Sequence, residues 1–107
     1  MLYKFKSKAA SDLIMTAPVG ERLLRLMGRE SAPTGIFEVG DMPALMAALE
    51  AAIVTEEAAQ RAAEQLAEAE GRSPPRRAEV ALRQRAWPLV EMMKRAQAAD
   101  QPIVWGV

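Results

Sequence analysis

Two helical periodicities stand back to back between Asp41 and Ala99, parted by a pair of prolines, and this run limits the fold more than any other feature. In the first, Met42, Leu45, Met46, Leu49, Ala52 and Ile53 recur at spacings of three and four, behind Asp41 as N-cap and Pro43 in the first turn. Beyond Thr55 the residues to Glu70 are almost all alanine, glutamate and glutamine, with Leu66 the single large apolar side chain. Helical propensity therefore persists while the core-facing stripe fades, and the spacing predicts a solvated outward continuation. Residues 71–77, with Pro74 and Pro75, form a Pro-rich connection. From Glu79 to Ala99 a second stripe runs through Leu82, Ala86, Leu89, Val90, Met93 and Ala96, with Pro88 either kinking one helix or starting another. A short break between two long amphipathic helices predicts an antiparallel pair.

The rest of the chain reads as strands and one short helix. Leu2 to Lys8 alternates, with Tyr3 and Phe5 on one face and Lys4, Lys6 and Lys8 on the other, the mark of a half-buried strand. A turn over Ala9 to Ser11 leads to a second strand, Asp12 to Ala17, close enough for a hairpin and ended by Pro18. Val19 to Met27 sets Leu23, Leu24, Leu26 and Met27 opposite Arg22, Arg25 and Arg29, with Gly28 as C-cap. The loop Ser31 to Gly35 precedes a brief strand, Ile36 to Val39. Ile103 to Val107 is apolar on both faces, as an interior strand is. The order β-β-α-β-α-α-β predicts an α+β two-layer sandwich: a mostly antiparallel sheet of about four strands under a long helix pair.

At 107 residues, 50% apolar and 26% charged, the composition is that of one globular domain spanning 1–107. No apolar run approaches the roughly 18 residues that cross a bilayer, and the N-terminus alternates where a signal peptide would be continuously apolar. The expectation is a cytoplasmic protein without a membrane partner. There is no cysteine for disulfides or thiolate chemistry, and no histidine to serve as general base or metal ligand. No phosphate loop, nucleophile elbow or zincin signature replaces them, so catalysis is not expected and no cofactor is implied. Glu57, Glu64 and Glu68 have helical spacing and could hold a hard cation, but a solvated acidic face explains them; Met42, Met46 and Met93 read as core filler rather than copper ligands.

Fourteen basic and fourteen acidic side chains cancel, yet they lie in blocks: a basic N-terminal third, an acidic middle and a basic C-terminal third. Lys4, Lys6 and Lys8 on the first strand and Arg22, Arg25 and Arg29 on the first helix are candidate anion-binding rows. Pro18, Val19 and Gly20 open that helix with free N–H groups. Trp87, Pro88, Trp105 and Leu66 are candidate interface residues, the tryptophans because a large amphipathic ring beside a helix proline or in a last strand suits either a core or a contact surface.

The segments MLYKFKSKAASDLIM, GERLLRLMG, DMPALMAALEAAI and LRQRAWPLVEMMKRAQAADQPIVWGV together resemble the short bacterial proteins grouped as domain of unknown function 1840. The resemblance covers most of the chain outside Thr55 to Arg77. It implies a compact bacterial domain and carries no activity, cofactor or site residue. The residues themselves lead to a non-enzymatic interaction module, self-associating as a homodimer or binding a protein partner through the helix pair or a free sheet edge. The alternative is anion or nucleic-acid binding through the two basic rows; a third reading is a small enzyme or ligand carrier with a pocket between sheet and helices.

Overall fold

Alternation at the N-terminus becomes a hairpin. In the computed structural model, which describes residues 2–74 and 81–106, β1 (Leu2–Ser7) pairs antiparallel with β2 (Ala10–Thr16), Tyr3 opposite Met15 and Phe5 opposite Leu13. The turn is tighter than the sequence suggests. It occupies Lys8 and Ala9, where the Ser7 hydroxyl accepts a hydrogen bond from Ala9 N–H at 3.2 Å, and a register shift falls between Phe5 and Ser7. Lys8 therefore belongs to the turn and not to the strand row.

Helix α1 (Ala17–Leu26) follows β2 without a loop. Pro18 does not end the strand; it sits in the first helical turn, where its missing N–H leaves nothing unpaired and its fixed φ suits the helix. Leu23 and Leu24 are buried. Gly20 is buried as well, against the Tyr3 ring, where a Cβ would overlap the ring carbons. Close approach of α1 to the sheet explains that glycine.

Strand β3 (Gly35–Phe37) is shorter and earlier than the expected Ile36 to Val39, because Val39–Asp41 forms a 3-10 turn. Helix α2 (Met42–Ala69) leaves that turn and runs unbroken for 28 residues. Asp41 precedes it in helical conformation, and its side chain makes no cap bond; the carboxylate instead meets Arg29 at 3.4 Å. Helix α3 (Leu82–Ala98) begins at Leu82, with Ala81 extended before it. The expected start at Glu79 lies outside the described residues, as does part of the 71–77 connection. Pro88 sits inside one continuous helix and starts no new one.

Strand β4 (Ile103–Trp105) enters between β1 and β3, giving a four-stranded antiparallel sheet of order β2-β1-β4-β3. The last strand is interior, as its two apolar faces require, although Val107 lies outside the described residues. Tyr3, Phe5, Phe37, Ile103 and Trp105 form the helix-facing side of the sheet; Leu23, Leu24, Leu45, Leu49, Ile53, Leu89, Val90 and Met93 cover it from α1, α2 and α3. No polar or charged side chain is buried among the described residues. The described residues form an α+β sandwich with three α-helices on one side of the sheet.

Candidate functional site

Strand order leaves two edges. Strand β3 is three residues long, which offers an incoming chain little to pair with, whereas β2 is seven residues long. At about 3.4 Å per residue, β2 presents roughly 20 Å of backbone whose outward N–H and C=O groups have no partner strand among the described residues. Helix α3 runs beside this edge. Between them lies an open groove of about 490 Å³ lined by Leu2, Leu13, Ile14, Met15, Gln84, Arg85 and Pro88, continuing into a smaller one of about 180 Å³ lined by Leu13, Pro88, Met92 and Arg95 among others.

Groove composition follows from local structure. Leu13 and Met15 point towards the core yet stay partly exposed, since no further strand among the described residues covers them. Leu2 and Ile14 lie on the outer face of the sheet at 63% and 54% exposure and line the groove from the other side, which concentrates apolar surface at this edge. The opposite wall is a stripe of α3 at spacings of three and four: Arg85, Pro88, Met92 and Arg95. Lacking an N–H, Pro88 leaves the Gln84 carbonyl without its i+4 helical donor in the same wall.

Charges around the groove are unevenly engaged. Asp12 pairs with Lys4 at 3.7 Å, and Glu91 pairs with Lys94 at 3.6 Å. Arg85 and Arg95 are exposed and make no ion pair or side-chain hydrogen bond among the described residues. The groove thus carries apolar walls and two uncommitted cations.

Residues singled out in the sequence do not converge on one site. Lys4 and Lys6 lie on the sheet face away from the helices, opposite Tyr3 and Phe5, and Lys8 is in the turn. Arg22, Arg25 and Arg29 lie on α1 and just past its end, on the helix side, so the two basic rows form no common patch. Arg22 is engaged with Glu56 at 3.0 Å; Arg29 donates to the Ile36 carbonyl at 3.1 Å and lies over the Phe37 ring. Among the interface candidates, Pro88 alone lines the groove. Trp105 is a core residue instead: it is 3% exposed, packs against Phe5 and Phe37, and its indole N–H donates to the Ala32 carbonyl at 3.0 Å. Trp87 lies half-exposed between the Arg83 and Lys94 cations, and Leu66 is exposed on the distal half of α2, where Ala67 is the buried residue. With four of the five aromatic side chains in the cluster Tyr3, Phe5, Phe37 and Trp105, no row of exposed rings is left to stack nucleic-acid bases.

The helix layer is tied by two adjacent carboxylates. Glu56 accepts from Arg22 of α1 through Oε1 and from the first N–H of α3, Leu82, through Oε2, both at 3.0 Å. Glu57 takes a two-pronged bond from Arg83 at 2.9 and 3.0 Å, and the guanidinium holds its carboxyl below the usual carboxylate range. Gln84 Oε1 accepts from Ala81 N–H and completes the start of α3. Glu57 is thus occupied, Glu64 accepts from Gln60, and among the described residues no three carboxylates stand where one cation could be held.

The spacing of Arg85, Met92 and Arg95 on α3 is visible in the sequence, but it is the position of β2, which no local pattern reports, that makes them one wall of a groove. The family model described as Domain of unknown function (DUF1840) matches residues 1–105. No curated protein and no solved structure matches the chain.

Proposed function

The chain belongs to the domain of unknown function 1840 family, and on that premise we propose that it is a non-enzymatic interaction module whose contact surface is the free edge of β2. One observation carries this reading: a seven-residue edge strand lies open beside a groove with apolar walls. An extended chain added there would satisfy the outward backbone groups of β2 and cover Leu2, Leu13, Ile14 and Met15, which is the physics of strand addition. A second copy or another protein could supply that chain. The proposed setting is the cytoplasm, for which the support is a chain without cysteine.

Selection from a library of random displayed peptides tests the reading, with amide hydrogen exchange on the complexes as the readout. Selected peptides should slow exchange across residues 10–16 and leave the other edge, Gly35–Phe37, unchanged. Enrichment of no peptide, or protection that spares β2, would refute it.

A further inference from the structure

We infer that the strand taken up at this edge is an extended segment of another protein, apolar on the side facing the groove and bearing two acidic side chains about four residues apart, which Arg85 and Arg95 hold. This rests on the reading of β2 as a docking edge and adds the chemistry of its partner. The first ground is charge. The groove's own carboxylates, Asp12 and Glu91, are engaged by Lys4 and Lys94, while Arg85 and Arg95 have no partner among the described residues. A guanidinium held at the rim of an apolar groove is matched by a carboxylate, which it can bind with two parallel hydrogen bonds.

Spacing supplies the second ground. Ten residues separate the two arginines on α3, a rise of about 15 Å along the helix axis. An extended strand covers that distance in between four and five residues, and only the even number returns both side chains to the same face. Two acidic residues at i and i+4 of an added strand would therefore meet the two arginines together. Between them, the side chain at i+2 would lie over Pro88 and Met92, the apolar centre of the wall.

A second copy of the chain fits less well. Its β2 carries a single carboxylate, Asp12, already engaged with Lys4, so two copies joined edge to edge would leave both arginine pairs unmatched. Edge-to-edge association also offers no charge steering, whereas an acidic strand would be drawn to the two cations.

Fluorescence anisotropy with labelled peptides of about ten residues tests the inference. The probe alternates valine and threonine and carries two glutamates four apart; its controls carry glutamine or lysine there. At about 50 mM salt the glutamate peptide should bind about tenfold tighter than the glutamine peptide, and the gap should close towards roughly 1 M salt. In the double variant Arg85→Glu, Arg95→Glu the preference should pass to the lysine peptide, a reversal that loss of fold cannot produce. Equal binding of all three peptides with protection of residues 10–16 would overturn the acidic partner and leave the edge reading standing. No binding and no protection by any of them would overturn both, and a dimer sealed through β2 at the same protein concentration would put a second copy in the partner's place.

Discussion

Glu56 shows how much one side chain can do when the fold brings three elements to it. Its two oxygens tie α1 and α3 to α2, and one of them accepts the first N–H of α3, a donor that no intrahelical carbonyl could satisfy. Glu56→Ala should cost about 1–2 kcal/mol in denaturant unfolding, while Glu56→Gln, which keeps the acceptor, should cost less. Adjacent carboxylates about 100° apart on a helix are visible in the sequence, but their partners are 26 and 34 residues away, so their roles were not. Asp100 offers the opposite test. Helices α1, α2 and α3 each end with paired backbone bonds around a left-handed residue, Gly28, Gly71 and Asp100, and the last is the one with a Cβ, at φ 56°. Asp100→Gly should stabilise by about 1 kcal/mol and raise the melting temperature by a few degrees. Burial pushes the Tyr3 phenol up, and Glu21 adds to the shift. The fold thus holds the Tyr3 proton more tightly than the unfolded chain does. The stability this contributes is complete below the ordinary tyrosine range and is lost as pH rises above about 10. Tyr3→Phe should flatten that alkaline loss in a series of pH-dependent melts.

Elements were the most legible level. Every strand and helix in the order β-β-α-β-α-α-β is present, because periods of 2 and 3.6 separate cleanly in this chain and the alanine-rich distal half of α2 keeps its helical propensity after the core-facing stripe has ended. Boundaries moved where backbone chemistry allowed two outcomes. Pro18 can end a strand or open a helix, and direct continuation of β2 into α1 decided for the helix; Val39 can extend β3 or enter the 3-10 turn, and the short β4 leaves it no partner to pair with. Strand β4 joins β1 to β3 and carries Ile103 and Trp105 into the core. Deleting residues 103–107 should therefore abolish the cooperative thermal transition, since it removes two large buried side chains and opens a gap in the sheet. A truncated chain that still melts cooperatively would show β4 to be dispensable.

Over the whole molecule the helix layer and the sheet differ in reach. Helix α3 starts opposite Glu56 and Glu57, so the last dozen residues of α2 run on past it, and a 28-residue helix of about 42 Å accounts for most of the 52 Å long axis. The basic rows on opposite faces of the sheet give a single nucleic-acid strand no continuous positive track, and titration with labelled DNA and RNA at low salt should show no saturable binding. The α+β class, a last strand apolar on both faces and the two long helices are legible in the amino-acid sequence, because each rests on a local period of 2 or 3.6. Tertiary structure alone decided which strand became the open edge, that Trp105 is core, and that Arg85 and Arg95 flank a groove. Those outcomes depend on pairings between residues far apart in the chain, whose energies are set by shape and distance once the layers have closed, and no stretch of sequence contains them.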